Sequence, residues 1–227
     1  MRVTNEGPGR SMGAMTLWRS TVGRKALVAA SGLLLCAWVA LHVAGNLTVF
    51  SGPEAADGYA ASLRRMPVAL WAARIGLGVA AAVHIAGVAS LTRADRAARP
   101  RHRARGPRAS TWAARSMRLG GALLLAFVIF HLLHLTLGVA NPSFLPGHVY
   151  ANVVRGLHSP AMAGIYIGAA LLLGLHLFHG LWAAVRSLGV WPDAAARRRR
   201  PAVAALSAAV ALGFASVPLA VLAGWLR

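Results

Sequence analysis

Five stretches of this chain are apolar enough and long enough to cross a bilayer, and they fix what it can fold into. A helical span takes about 20 apolar residues. Candidates lie at 26–50, 67–91, 118–140, 161–186 and 202–226. Hydrocarbon offers the backbone no hydrogen-bond partner, so each span must satisfy its own peptide groups, as a helix does. Apolar residues make up 57% of the chain and charged ones 13%. That charged share is about half of what a soluble domain carries, roughly 25%. The expected fold is an all-α integral membrane protein with five transmembrane helices. It forms one domain over 26–226 behind a basic segment at 1–25. No apolar stretch with a cleavage site stands apart from the first span, so that span is expected to be retained.

The net charge of +19 invites a nucleic-acid reading, which its distribution opposes. Lys and Arg number five in the N-terminal segment, nine in 92–118 and five around 186–201. The opposite side has Arg64, Arg65, Arg155 and Arg227, with Arg74 just inside span 2. Nineteen against five, alternating from loop to loop, places the N-terminus on the cytoplasmic side. The run Arg197–Arg200 reads as a topology anchor that attracts anionic lipid or a docked partner. Trp18, Trp112 and Trp191 flank spans on the inner side, and Trp71 and Trp225 on the outer. Cys36 is the only cysteine, so this chain neither closes an internal disulfide nor ligates an iron–sulfur cluster by itself.

Between the spans, 55–65 reads as a short amphipathic segment. The outer loop 141–160 has room for a surface helix near 147–157. Pro67 suits the first position of span 2, where a missing N–H costs nothing.

Four spans each carry a deep histidine: His42, His84, His131 and His176. An imidazole in lipid needs a partner. At 1.5 Å per residue, His42 and His131 lie roughly 24 and 20 Å from the inner edge. His84 and His176, on descending spans, lie roughly 25 and 24 Å from the outer edge. The four sort into an outer pair, His42/His131, and an inner pair, His84/His176. The levels are on the order of 15 Å apart in a core about 30 Å thick. Facing imidazoles across a bundle suit haem iron, and a bis-histidine site leaves no open iron position, as an electron carrier requires. The plainer alternative for any one histidine is a hydrogen bond to a neighbouring helix. Zinc fits less well, because each level supplies two ligands only.

His134 and His179 lie one turn beyond His131 and His176, and by depth either is an alternative ligand. His148, His158 and His102 read as solvated. Gly32, Ala40, Gly45, Gly78, Gly87, Gly174 and Gly180 suit either a flat macrocycle or close helix packing.

Three stretches carry a family resemblance: HVAGNLTVFSGPEAADGYAASLR at 42–64, RLGGALLLAFVIFH at 118–131 and SPAMAGIYIGAALLLGLHLFHGLW at 159–182. Over residues 24–226 the chain resembles the dihaem cytochrome b membrane subunit of succinate dehydrogenases and fumarate reductases. The resemblance implies five helices, four of them bundled around two b haems. It matches the ligands to His42, His84, His131 and His176, with the same pairing, and disfavours His134 and His179. It implies a multi-pass subunit of the bacterial plasma membrane, docked to a cytoplasmic flavoprotein and an iron–sulfur subunit. Electrons from succinate would pass by the inner and then the outer haem to a quinone, menaquinone being the expected one, and the same parts would serve the reverse direction, fumarate reduction. Succinate chemistry would belong to the partners, not to this chain alone.

The resemblance leaves two roles for the arginines. Arg24, Lys25, Arg115 and Arg118 would hold inner haem propionates or the docked subunit, and Arg64, Arg65 and Arg74 the outer propionates; the alternative is snorkelling to head groups. The five spans contain neither Asp nor Glu. A carboxylate found in certain family members would fall at Gly174, and another, near the first outer loop, around Arg64. A carboxylate proton relay across the membrane is therefore not expected here. The rival readings are a dihaem subunit of another quinone-linked dehydrogenase and a haem-free membrane anchor.

Overall fold

The computed structural model describes residues 18–98, 110–189 and 193–227, with backbone only at 110–115 and 193–197. Five of its helices are long and apolar enough to cross a membrane. Span 1 is α1 (Thr21–Asn46), prolonged by a 3-10 turn at Leu47–Ser51. A surface helix, α2 (Pro53–Arg64), leads to span 2, which is α3 (Pro67–Ala97). Span 3 is α4 (Ser110–His131), ending in a π turn at Leu132–Thr136. A second surface helix, α5 (Val149–Leu157), precedes α6 (Pro160–Ser187), which is span 4. Span 5 is α7 (Asp193–Leu222). The described residues contain no strand.

The helix starts follow from local chemistry. Ser20 Oγ accepts from Gly23 N at 2.9 Å and opens α1. Ser159 Oγ accepts from Met162 N at 3.2 Å, with Pro160 at the first turn of α6. These caps satisfy backbone donors that a helix leaves unpaired at its start. Pro67 occupies the first turn of α3, as expected.

Two span boundaries differ from the sequence reading. Span 3 does not continue to 140. Its α-helix ends at His131, and Leu137 N donates to Leu132 O in the wider π pattern. Gly138 then turns the chain at φ 75°. Span 5 does not begin after Pro201. The helix already runs from Asp193, so Arg197–Arg200 are helical and Pro201 lies within α7. Arg200 sets its guanidinium over the Phe178 and Trp182 rings of span 4, at 5.5 and 5.9 Å. The apolar run marked the span and could not show that its helix starts at Asp193, ahead of the arginines. Residues 1–17, His102 and Trp191 lie outside the described residues, as do the side chains of Trp112 and Arg115.

Spans 1 and 4 form the spine. Span 2 packs on span 1, span 3 on span 4, and span 5 on spans 4 and 1. Neither diagonal pair, spans 1 and 3 or spans 2 and 4, makes more than a glancing backbone contact. The end bearing α2 and α5 is termed outer, following the charge pattern. There Val49, Ala56, Leu157, Val217, Ala220 and Val221 join in a small buried core. Asp57 Oδ1 accepts from Tyr150 N at 2.9 Å and ties α2 to α5. Asn152 closes the loop before α5, accepting from Leu145 N and donating to Leu145 O.

Candidate functional site

Each diagonal carries one histidine pair. On the first, the His42 and His131 rings lie 5.9 Å apart, centre to centre, with planes at 77°. Two metal–nitrogen bonds of about 2 Å separate facing nitrogens by about 4 Å and ring centres by about 6 Å. The observed spacing matches both that distance and an ordinary edge-to-face ring contact, such as the 5.9 Å between His131 and Tyr166. Phe127 of span 3 stacks on His131 at 5.9 Å. Phe214 of span 5 lies 5.6 Å from His42. Span 5 was expected to stand outside the histidine bundle, yet it walls this site.

On the second diagonal, His84 is held by span 1. Its Nδ1 lies 3.1 Å from Val28 O and 3.4 Å from Ser31 Oγ. Donation from Nδ1–H to a carbonyl leaves Nε2 with its lone pair, the form in which a histidine binds metal. A Cβ at Gly32 would come within 3.1 Å of His84 Cε1. A Cβ at Gly121 would lie 3.5 Å from His176 Cε1.

These contacts measure the depth between the pairs. Gly32, beside His84, precedes His42 by ten residues on span 1. Gly121, beside His176, precedes His131 by ten residues on span 3. Ten residues of helix rise about 15 Å. Two parallel helices thus give the same separation between an inner and an outer level.

Nδ1 of His131 and Nδ1 of His176 are buried without a hydrogen-bond partner. A helix-packing histidine would spend its polar atoms on a neighbouring helix, because an unpaired buried polar group costs about 1–3 kcal/mol. His134 and His179 spend their Nδ1 atoms on hydrogen bonds, one to another helix and one within its own, as His84 does to span 1. His134, 2% exposed, shares a 2.9 Å hydrogen bond with the Tyr166 hydroxyl through Nδ1. His179 Nδ1 turns back to Leu175 O of its own helix at 2.9 Å. Among the described residues, no group of three or more His, Cys, Asp or Glu converges.

The glycines divide by function. Gly32 makes room for His84. Gly87 makes room for Val28, Gly174 for Ala211 and Gly45 for Tyr59, as in close packing, and no atom of another element faces Gly78. Gly121, Tyr166 and Phe214 were missed in the sequence, where nothing distinguishes them from other small or aromatic residues of a span.

The charged residues are equally divided. Arg24 donates from Nη1 to Ser90 Oγ at 2.7 Å across the inner end of spans 1 and 2, and its Nε is buried without a partner. Arg74 instead lies on the outward face of span 2, 5.2 Å over the Trp71 ring, as a residue reaching for head groups would. His158 is exposed. His148 is also largely exposed, with Nδ1 3.9 Å from Asp57 Oδ2.

Five long apolar helices, four of them carrying a deep histidine, define a multi-pass helical membrane protein. The succinate dehydrogenase/fumarate reductase transmembrane subunit family matches residues 92–215, more than half of the chain. The chain belongs to that family. The match takes in His131 and His176 and stops short of His42 and His84. No curated protein and no solved structure matches the chain.

Proposed function

We propose that this subunit anchors a succinate:quinone oxidoreductase in the bacterial plasma membrane and carries its electrons. It would hold two b haems, the outer by His42 and His131 and the inner by His84 and His176. The observation that carries this reading is the 5.9 Å approach of His42 and His131 across a diagonal whose helices hardly touch. The unpartnered Nδ1 atoms of His131 and His176 and the glycines beside His84 and His176 support it. A haem with two axial histidines supplies one-electron transfer without an open iron position. The chain's own part is to fix the imidazoles, separate the two levels by about 15 Å and keep water from both. A cytoplasmic flavoprotein with an iron–sulfur subunit would deliver the electrons, and menaquinone would accept them. The N-terminus lies inside in this reading, as the distribution of Lys and Arg requires.

The deciding experiment is a dithionite-reduced minus oxidised spectrum with haem quantitation on the purified protein, beside His→Ala variants at 42, 84, 131 and 176. Two b haems per chain are expected, with one lost from either member of a pair. A well-folded preparation without haem would leave a haem-free anchor whose histidines only join helices.

A further inference from the structure

His84 and His131 are held by different means, and the outer level contains polar residues that the haem reading does not use. His84 is oriented by a carbonyl. His131 has no such bond, since its Nδ1 has no partner. An axial imidazole with a free second nitrogen needs another restraint on its rotation, because ring orientation tunes the metal it serves. That restraint is visible in the packing. Tyr166 of span 4 sets its ring 5.9 Å from His131 at 64°. Phe127 lies 5.1 Å from Tyr166 and 5.9 Å from His131, so the three rings form one cluster. Tyr166 in turn is pinned at its far end by the 2.9 Å hydrogen bond to His134.

His134 is itself closely confined. It stacks on Phe130 at 5.3 Å and 14°. A Cβ at Gly156 would come within 3.0 Å of its Cε1, so the backbone of α5 lies directly against it. The π turn Leu132–Thr136 begins directly after His131 and contains His134, a feature found often at functional sites. A line of contacts therefore runs from the outer surface helix through Gly156, His134 and Tyr166 to His131.

We infer that Tyr166 and His134 form a positioning pair for His131 and set the axial geometry of the outer haem alone. The inference rests on the haem reading above. It assigns His134 a role distinct from ligation. It also couples the outer surface helix to the outer haem, because α5 confines His134.

The test uses the haem-loaded protein with two variants. Tyr166→Phe keeps the ring and removes the hydroxyl. Gly156→Ala leaves every polar group in place and presses on His134 from the surface helix. Each is read by haem quantitation, by low-temperature electron paramagnetic resonance of the two low-spin haems, and by redox titration. The outer signal is the one that His42→Ala removes. Both variants should retain two haems and shift the outer signal and its midpoint potential, leaving the inner haem as in the unchanged protein. At a fixed potential near the outer midpoint, the ratio of reduced to oxidised outer haem should change severalfold in Tyr166→Phe and less in Gly156→Ala. Selective loss of the outer haem would also support the role. Two haems with unaltered signals in both variants would overturn the inference and leave the haem reading intact, as would inner and outer signals moving equally. Absence of haem from the unchanged protein would overturn both.

Discussion

His84 of the inner pair and His131 of the outer pair show two ways of holding an imidazole in a membrane. For His84 the tie is polar and direct: it meets the Val28 carbonyl, and Gly32 gives it room, whereas Nδ1 of its partner His176 has no such bond. Val28 O also receives the Ser31 hydroxyl, whose main bond is to Leu27 O at 2.7 Å. At the outer level the tie is aromatic and indirect. His42 and His131 stand among Phe214, Phe127 and Tyr166, and the hydrogen bond lies one residue further away, between Tyr166 and His134. A carbonyl tie depends on the neighbouring backbone alone. A ring cluster depends on several helices at once, so the outer level is tied to span 5 and the surface helices.

On the proposed haem reading, the largest break in this comparison is loss of a ligand. His131→Ala should abolish the outer haem and spare the inner one, and His176→Ala should do the reverse. Next in size is a change that ignores the two levels. Gly174→Ala would bring a Cβ within 2.8 Å of Ala211 Cβ and 3.4 Å of Ser207 O in span 5. Overpacking of this kind costs about 1–3 kcal/mol. A lower thermal midpoint is expected, with both haems affected together; loss confined to one haem would show that Gly174 serves a site and not the helix contact.

Gly32→Ala separates the levels more finely. Its Cβ would stand 3.1 Å from Cε1 and 3.3 Å from Nδ1 of His84. Lower inner haem occupancy with a full outer complement is expected from haem quantitation. The smallest effect is Ser31→Ala. It removes a group 3.4 Å from His84 Nδ1 but keeps the 3.1 Å contact with Val28 O. A net hydrogen bond is worth about 1 kcal/mol. Full haem content with a slight shift of the inner signal should follow, and any shift of the outer signal would mean that the levels are not independently held.

Much of this protein was legible in the sequence because lipid imposes a simple rule. Apolar length gave the spans, alternating Lys and Arg gave an orientation, and 1.5 Å per residue sorted His42 with His131 and His84 with His176. The structure brings the first of these pairs together and puts a glycine of span 1 or span 3 beside each member of the second. Depth is a one-dimensional quantity, and a sequence of helices carries it without a fold.

What depth cannot encode is which neighbour a side chain meets. His131 and His134 differ by one turn on nearly the same face, and only the Tyr166 hydroxyl and the backbone of α5 distinguish them. Gly32 and Gly174 look alike in the chain, yet one makes room for an imidazole and the other for span 5. Phe214 stands in a span without histidine and still reaches His42. Class, spans and the depth of each histidine follow from the solvent and the helical rise, so the order of residues carries them. Which helices lie on the diagonals, and which residues surround each imidazole, came from the fold. Those choices rest on side-chain contacts between distant spans, where lipid tails are as apolar as the residues and hydrophobicity no longer distinguishes one face from another.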